Sequence, residues 1–538
     1  MSQEGREKAE FIVTSRSANE SYSARRSEIW SLYWSSKDRV LTGAHRRSMK
    51  IELLVPKEVS YVVSTLENKG FSAYVVGGSV RDLLMNRVPK DWDITTSATP
   101  EEIMALFPKT VYENRFGTVM VIDEEGTDPV LKNIEVTPYR LESDYSDNRH
   151  PDEVSFAKTI EEDLARRDFT INALAYSPTS GELIDLYGGI RDIKDKVVVT
   201  VGEADKRFAE DGLRLMRAIR LATELGFMCN KDTFTSIIKN AELLKNISAE
   251  RLREEFNKII MSADPLLGLQ MLKNSELLPH ILPELLPAIG CEQGRSHIYD
   301  VWEHLLRALQ HAADREYPLH LRLAALFHDI GKPATRRFDS QAKIWTFYGH
   351  EVVGARIVAK IMAKLKYPKK IAEDVERLVR YHMFFMDTEQ LTLSAVRRVV
   401  AKVGQENIWD LMKLRMSDRI GMGRPKEDPY RLRKYESMIE EALRSPTSVT
   451  MLKIGGEDLI GELKLKPGPK LGHILHALLE ETLDEPEKNT REYLLEKALE
   501  LSRLDEKELA KLGEKGKEKK GEVEEKELEE IRKKHKVK

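Results

Sequence analysis

Two aspartates separated by one residue, Asp91 and Asp93, open a predicted strand in the stretch "KDWDITT". Positions i and i+2 of a strand share a face, so both carboxylates should point at one spot. Paired oxygen ligands favour Mg²⁺, which bridges phosphate oxygens and lowers the pKa of an attacking hydroxyl. Glu135, on a predicted neighbouring strand, is the candidate third carboxylate, although a surface-facing glutamate fits that position nearly as well.

The residues just before these aspartates suit the phosphates that such a metal would bridge. In "AYVVGGSVRD", Gly77 and Gly78 form a predicted turn between a strand and a helix. Glycines let the backbone approach a ligand closely, free N–H groups at a helix start attract phosphate oxygens, and Arg81 adds positive charge. A Gly-Gly turn alone is more often only a turn. Together with Asp91 and Asp93, it predicts a triphosphate site with bound Mg²⁺.

A third pattern, "EDGLR", suits recognition of a base. Asp211 and Arg214 are three residues apart, which on the predicted helix places them on one face. A carboxylate beside a guanidinium matches the amino group and ring nitrogen of cytosine and adenine, whereas uracil and guanine present a keto oxygen to the carboxylate. In isolation, such a pair is usually a surface ion pair.

A fourth set of residues, all histidine or aspartate, lies in the second half of the chain. Its members are His304, His328, Asp329, His350, His382 and Asp418. Imidazoles and carboxylates in this mixture suit a two-metal centre of Mn²⁺, Fe²⁺, Ni²⁺ or Mg²⁺. Each histidine by itself would more often be a buried, hydrogen-bonded core residue.

The elements that position these residues change character along the chain. From 51 to about 200, short apolar runs alternate with helical stretches, while from about 201 helix follows helix and the strand pattern disappears. A Gly- and Pro-rich stretch near 446 precedes two more helices. The mixed-charge Lys/Glu segment from about 505 predicts a solvated helix or disorder without chemistry.

Length and composition limit the classes of protein to consider. A chain of 538 residues is too long for one core. Lys and Arg number 86 against 89 Asp and Glu, so an RNA-binding surface would have to be a local patch. Two cysteines exclude a disulfide framework or a cysteine zinc site and fit a reducing cytosol. Without an apolar run of 18 residues, we expect no membrane span.

The ordered motifs resemble those of the class II tRNA nucleotidyltransferases, which are the CCA-adding enzymes and their bacterial poly(A) polymerase relatives. The motifs are "GGSVRD", "KDWDITTSATPEEI", "DLARRDFTINALAY" and "FAEDGLRLMRAIRLA", and the resemblance runs from about Met49 to Ala498. It implies an α+β fold, in which a small polymerase-β-like nucleotidyltransferase head precedes an all-helical remainder. The implied units are a non-native or disordered extension (1–48, with Met49 as initiator), the head (49–200), a neck with nucleotide-reading and RNA-binding helices (201–280), an HD domain (281–445), a tRNA-binding tail (446–504) and a charged tail (505–538).

The resemblance also implies roles for individual residues. "RRDFTINA" places Arg166, Arg167, Asp168 and Asn172 against the ribose and phosphates of the nucleotide, and "EDGLR" becomes a protein template that reads CTP and ATP. A carboxylate that accepts from a 2′-hydroxyl would favour NTP over dNTP. The implied nucleotide-binding set is Gly77, Gly78, Arg81, Arg167, Asp168, Asn172, Asp211, Arg214 and Arg217, with Asp91, Asp93 and Glu135 as catalytic carboxylates.

The six histidine and aspartate residues carry a resemblance to a second family. His304 precedes His328 by 24 residues, a spacing similar to that of HD-domain phosphohydrolases, and "LFHDIGKP" carries the His-Asp pair. A complete set of ligands in this family implies phosphatase and 2′,3′-cyclic phosphodiesterase activity. The alternative is a degenerate HD fold that is purely structural.

The predicted function is template-independent addition of CCA to the 3′ end of tRNA, using CTP, ATP and Mg²⁺, in the cytoplasm and away from membranes. The stretch 140–164 resembles a flexible loop that CC-only enzymes lack. An A-adding enzyme and a bacterial poly(A) polymerase are the alternatives, and "IGGEDL…KPGPKLGHIL" argues against the polymerase. An RNA-directed HD phosphohydrolase, the third alternative, predicts activity that survives loss of Asp91 and Asp93.

Overall fold

A computed structural model describes most of the chain from Ser48 onward. The described residues are 48–112, 117–123, 128, 130–142, 154–294, 298–384, 392–443, 449 and 452–537. The predicted extension 1–48 therefore lies outside them except for Ser48, and so does the middle of the predicted loop 140–164. Within the described ranges, no helix is both long and apolar enough to cross a membrane.

A mixed sheet forms the head, and its short strands are rich in β-branched and aromatic residues. The strands at the centre of the sheet are buried along most of their length. The strands are β1 (Ser48–Lys50), β2 (Ala73–Val76), β3 (Asp93–Thr96), β4 (Thr110–Tyr112), β5 (Val119–Ile122), β6 (Asn133–Pro138), β7 (Arg140–Glu142), β8 (Val154–Phe156), β9 (Leu174–Ser177) and β10 (Glu182–Asp185). Eight of them form the order β1-β10-β9-β2-β3-β6-β5-β4, and β7 pairs with β8. Only β3 and β6 run parallel in the large sheet.

The helices of the head cover the apolar face of this sheet. They are α1 (Lys57–Asn68), α2 (Gly78–Leu84), α3 (Pro100–Leu106), α4 (Ile160–Ala165) and α5 (Gly189–Asp195). Val59, Val63 and Leu66 recur at helical spacing on α1 and are fully buried against β2 and β3. Because β2 and β3 are antiparallel, with Val76 opposite Asp93, the end of β2 and the start of β3 lie at the same edge of the sheet.

Helices make up most of the remainder, as predicted. They are α6 (Ala204–Glu210), α7 (Leu213–Leu225), α8 (Lys231–Lys239), α9 (Ala249–Met261), α10 (Pro265–Asn274), α11 (Leu278–Ile281), α12 (Val301–Asp314), α13 (Leu319–Phe327), α14 (Lys332–Thr335), α15 (His350–Lys364), α16 (Lys369–Tyr381), α17 (Leu393–Val403), α18 (Ile408–Gly421) and α19 (Tyr430–Leu443). One apolar core runs through them from Phe169 to Ile439.

Short strands also occur in this part, so the prediction that strands disappear after 201 was wrong in detail. β11 (Val197–Val198) pairs in parallel with β12 (Met228–Cys229). β13 (Arg337–Asp339) and β14 (Ile344–Thr346) form an antiparallel hairpin between α14 and α15.

The C-terminal segment is a helix with mostly exposed residues, which agrees with the predicted solvated helix, but one side of it is packed, which was not predicted. The tail comprises α20 (Gly456–Gly461), α21 (Pro469–Asp484), α22 (Arg491–Ser502) and α23 (Glu506–Lys534). α23 runs along α21, and a Cβ added to Gly516 would lie 2.1 Å from the carbonyl oxygen of His476. The far end reaches α19, where His535 Nε2 lies 2.7 Å from Glu440 Oε2. The two glycines in "KLGEKG" permit this close approach of the helices. The Lys/Glu composition, from which the tail was predicted, gives no sign of such packing.

Candidate functional site

The predicted carboxylates meet at the start of β3. The strand begins at Asp93, so Asp91 lies in a bend two residues before it and not on the strand as predicted. Trp92 is buried in the core between the two aspartates. In the parallel pairing of β3 with β6, Asp93 is opposite Glu135, which places the third carboxylate beside it as predicted.

The electrostatics of this cluster suit a bound cation. Burial, followed by the charges of Asp91 and Glu135, raises the pKa of Asp93 to about 6, against a smaller lowering effect of Arg167. The negative charges of three neighbouring carboxylates are stabilised by a divalent cation. The donor set therefore fits Mg²⁺.

Gly77 allows a close approach next to Asp93. Its φ of +76° is in the region that favours glycine. A Cβ at this position would lie 3.2 Å from Arg167 Nη1 and 3.6 Å from Asp93 Oδ2. Replacing this glycine would therefore strain the backbone and crowd an arginine and a carboxylate that line the site.

One buried carboxylate positions the two arginines of "ARRDFT". Asp163 is completely buried and accepts from Arg166 at 2.7 Å and from Arg167 at 3.0 Å. Burial alone would raise the pKa of Asp163, but the two guanidinium groups outweigh burial and lower it. Sequence reasoning missed Asp163, because an acidic residue in the first turn of α4 looks like ordinary helix patterning.

Asp168 is the centre of a second network of hydrogen bonds. Arg217 Nε donates to Asp168 Oδ2 at 2.8 Å, and Asn172 Nδ2 donates to Asp168 Oδ1 at 3.3 Å. Arg81 Nη1 donates to Asn172 Oδ1 at 2.7 Å and so connects α2 to this network. Burial would raise the pKa of Asp168, but Arg217 and Arg214 outweigh burial and lower it to about 2.

The base-reading pair departs from its predicted geometry. Asp211 lies in an extended linker between α6 and α7 and not on a helix, so the two side chains do not share a helical face. Asp211 accepts from Arg251 Nη2 of α9 at 2.7 Å, while Arg214 pairs with Glu210. Neither partner was predicted, because Arg251 is 40 residues away along the chain and Glu210, although part of "EDGLR", looks like an ordinary surface residue of a charged helix end.

These residues nevertheless converge on one cavity of about 300 Å³. Its lining comprises Gly77, Gly78, Asp93, Arg166, Arg167, Asp168, Asn172, Asp211, Arg214, Arg217 and Arg251. Asp93 of β3 and five arginines are among the lining residues, which suits a triphosphate beside a metal ion. Arg81, Asp91 and Glu135 are not among the lining residues and border the cavity through Asn172 and Asp93.

A second constellation is buried in the helical part, where the predicted ligands come together. His304 Nε2 lies 2.9 Å from His328 Nε2 and 3.1 Å from Asp329 Oδ2. Asp418 Oδ1 is 3.3 Å from His304 Nε2 and 3.5 Å from His328 Nε2. These four donors form the first ligand group.

The second group shares an aspartate with the first. His350 Nε2 lies 3.1 Å from Asp329 Oδ1, and His382 Nε2 lies 3.4 Å from the same oxygen. The other oxygen of Asp329 faces the first group. A carboxylate that offers one oxygen to each group is the arrangement that bridges two metal ions.

Hydrogen bonds to carbonyl groups orient three of the imidazoles. Nδ1 of His328 lies 2.9 Å from Ala325 O, and Nδ1 of both His350 and His382 lies 2.7 Å from a carbonyl oxygen. A carbonyl can only accept, so each Nδ1 carries the proton and each Nε2 presents its lone pair to the centre. The carboxylates of Asp329 and Asp418 lie beside these imidazoles and give the centre a negative charge that attracts a cation.

Two basic residues flank this centre. Lys332 pairs with Asp329 and donates to Gln293 Oε1 at 2.6 Å, while Arg415 pairs with Asp418. Both line a cavity of about 470 Å³ that opens onto the metal-binding groups. Sequence reasoning quoted Lys332 in "HDIGKP" but gave no role to Lys332 or Arg415.

Comparison with known proteins places the chain in a family. The family model described as "Poly A polymerase head domain" matches residues 73–199, "Probable RNA and SrmB- binding site of polymerase A" matches 226–289, and "HD domain" matches 295–423. A CCA-adding enzyme of Ligilactobacillus salivarius is 32% identical over 452 residues, which cover 84% of this chain and 97% of the relative. The chain belongs to the CCA-adding enzyme family. A second relative supports this assignment. It is a CCA-adding enzyme of Bacillus cereus that is 32% identical over 79% of this chain and 93% of its own.

Solved structures of CCA-adding enzymes share the fold. The Bacillus stearothermophilus enzyme in complex with CTP is 28% identical, with a TM-score of 0.53 over 82% of this chain and 96% of its own. The Thermotoga maritima enzyme in complex with tRNA also shares the fold. It is 21% identical, with a TM-score of 0.50 over 84% of this chain and 99% of its own. The predicted family and α+β fold class are thus confirmed. The residue roles and the borders between the units stay predictions.

Proposed function

We propose that the head of this CCA-adding enzyme catalyses nucleotidyl transfer in the 300 Å³ cavity, with Asp91, Asp93 and Glu135 holding Mg²⁺. The 3′ oxygen of the tRNA bonds to the α-phosphorus of CTP or ATP, the bond to the β-phosphate oxygen breaks, and pyrophosphate leaves. Bound Mg²⁺ would supply charge neutralisation and acidify the 3′-hydroxyl. The observation that carries this proposal is the convergence of metal-type, phosphate-type and base-type residues on one cavity.

Each part of the cavity has a role in this proposal. Arg166 and Arg167, held by Asp163, bind phosphates, and Asp168 accepts from the ribose 2′-hydroxyl. Asp211 and Arg214 read the base. Asp211 is paired with Arg251, and Arg214 with Glu210, so a base would share or replace these ion pairs when it binds.

The products from a tRNA that ends at the discriminator base test this function. With CTP alone we expect two additions, and with CTP and ATP together we expect three. Addition of A only, to a primer already ending in CC, would identify an A-adding enzyme, and long A tracts would identify a poly(A) polymerase. Nucleotide addition that survives loss of Asp91 and Asp93 would refute the assignment of the head.

The buried His/Asp centre supports a second activity, phosphoester hydrolysis. Seven donor contributions from six residues fit two metal ions, with Asp329 shared. Mixed imidazole and carboxylate ligation favours Mn²⁺, Fe²⁺ or Ni²⁺ over Mg²⁺ alone. Lys332 and Arg415 would bind the phosphate beside these ions. Elemental analysis and hydrolysis of a 2′,3′-cyclic nucleotide test this activity, and a protein that binds no such metal and hydrolyses nothing would contradict it.

The remaining parts of the proposal concern organisation and location. We retain the units 49–200, 201–280, 281–445 and 446–504, the last as a tRNA-binding tail. Both cysteines, Cys229 and Cys291, are buried and free, which fits the predicted reducing, cytoplasmic compartment.

A further inference from the structure

The cavity beside the His/Asp centre has two kinds of lining. The polar lining includes the candidate ligands Asp329, His350, His382 and Asp418 with the cations Lys332 and Arg415. The apolar lining consists of Trp345, Phe347, Tyr348, Met383 and Met422, and it adjoins the polar groups, since Lys332 Nζ lies 5.7 Å from the centroid of the Phe347 ring. A volume of about 470 Å³ is in the range of small-molecule sites. A phosphate alone would use only the polar groups, so the apolar lining implies a larger ligand.

The three aromatic residues of this lining, Trp345, Phe347 and Tyr348, belong to β14 and to the segment that follows it. The carbonyl of Phe347 accepts from Nδ1 of the ligand His350, and Gly349, at φ +77°, turns the chain into α15. Tyr348 therefore lies between a residue that fixes a metal ligand and the turn that starts the ligand's helix. This backbone places an aromatic side chain beside the metal-binding groups at a set position.

Among the three aromatic side chains of this segment, Tyr348 is the one open to solvent. Trp345 is covered by Arg336, whose guanidinium carbon lies 3.8 Å from the ring centroid, and it packs edge to face on Phe338. Phe347 packs on the core. Tyr348 is 85% exposed although it lines the cavity. An exposed aromatic ring at the mouth of a cationic cavity is the arrangement on which nucleic-acid bases stack.

We propose that Tyr348 is a specificity-determining residue that stacks on the base of a nucleotide whose phosphate lies between Lys332, Arg415 and the metal-binding groups. This inference rests on the proposed phosphohydrolase activity and adds to it the residue that recognises the base of the nucleotide, which is free or at the end of an RNA strand. In hydrolysis of a 2′,3′-cyclic phosphate, the oxygen of water bonds to phosphorus and the bond from phosphorus to O2′ breaks. One proton of the water goes to O2′, and the other stays on the new phosphate.

The test compares adenosine 2′,3′-cyclic phosphate with the base-free ribose 2,3-cyclic phosphate on the full-length, metal-loaded protein. The parent should hydrolyse the nucleotide with a kcat/KM about tenfold or more above that of the base-free substrate. Tyr348→Ala should remove most of this difference by raising KM for the nucleotide, and should leave the base-free substrate unchanged. Tyr348→Phe keeps the ring and should behave like the parent. CCA addition, which uses a different site, reports that each variant is folded.

The possible failures are distinguishable from one another. If the parent hydrolyses both substrates equally well, or if Tyr348→Ala keeps the full preference, this inference is overturned while the phosphohydrolase activity stands. If the parent hydrolyses neither substrate, the inference and the phosphohydrolase activity are both overturned. A short RNA ending in a 2′,3′-cyclic phosphate separates the two sources of the nucleotide. A Tyr348 effect that is larger on the RNA identifies a strand end, and one confined to the mononucleotide identifies a free nucleotide.

Discussion

The head cavity and the His/Asp centre both gather metal-type ligands, but they differ in how much of the coordination the protein supplies. In the head, Asp91 and Glu135 are exposed and Asp93 is only partly buried. In the helical part, His304 and His328 are completely buried, and Asp329 and Asp418 nearly so. The head offers three carboxylates, whereas the centre offers six residues in two groups.

This difference follows from what each site has to admit. A triphosphate and an RNA end bring their own oxygen ligands, so the head needs only a partial set on an open strand end. A small phosphoester brings few ligands, so the centre has to hold its ions by itself. We therefore expect metals to enter the head with the nucleotide and to reside in the centre.

The largest effect should come from the head's partly buried carboxylate. Asp93→Asn keeps the shape of the side chain but removes the charge that neighbours Asp91 and Glu135. Transfer should fall by about a thousandfold or more, since metal charge stabilisation is worth several kcal/mol. tRNA binding, measured by filter retention, should change little. Asp195→Ala, which removes an exposed surface aspartate of the same head, is the control and should remain active.

A smaller effect should come from the base-reading arginine. Arg214→Ala should raise misincorporation of UTP and GTP, because loss of a bidentate partner costs about 1–3 kcal/mol of discrimination. Arg191→Ala, which removes an exposed ion pair with Asp195 in the head, is the control. Competition between CTP and UTP for one primer measures the effect. A variant that still rejects UTP as well as the parent does would contradict the template role.

The ion pairs of the head should also make it sensitive to acid. The folded pKa of Asp168 is about 2, below its unfolded value near 3.8, so its contribution is present above about pH 4 and is lost as pH falls through 2. Its size is about 2 kcal/mol. Asp168→Asn should therefore lower stability at pH 7 and flatten the acid limb. Unfolding midpoints in urea at pH 7 and pH 3 measure this, and equal pH slopes for parent and variant would contradict it.

Changes in the tail, outside both sites, should have the smallest effect on either activity and should act on local stability. Gly516→Ala places a Cβ against the His476 carbonyl and should cost about 1–3 kcal/mol of local stability. Gly521→Ala on the same helix meets open space and should gain about 0.8 kcal/mol from helix propensity. Hydrogen exchange of the α23 amides distinguishes the two. Neither change should alter the metal content of the centre.

Sequence reasoning predicted what depends on residue type and local order. The β2–turn–α2 unit with its Gly77 and a neighbouring strand that carries Glu135 follow from local patterns along the chain. The six residues of the His/Asp centre were found through the resemblance to HD-domain phosphohydrolases. It did not predict partners that come from distant segments with ordinary patterning. Arg251 meets Asp211 from 40 residues away, and α23 packs on α21 through two glycines in a charged stretch. Such contacts are determined by tertiary packing, which local periodicity does not contain.

The separation of the two sites is the central claim, and one paired measurement tests it. CCA addition and hydrolysis of a 2′,3′-cyclic nucleotide are measured side by side, with bound metal, on the parent, Asp93→Asn and His328→Ala. His320→Ala, which removes a histidine paired with Asp410 outside the centre, is the control. We expect Asp93→Asn to lose only addition, and His328→Ala to lose only hydrolysis and the resident metal. If His328→Ala also abolished addition, or if Asp93→Asn left addition intact, the assignment of two separate sites would be wrong.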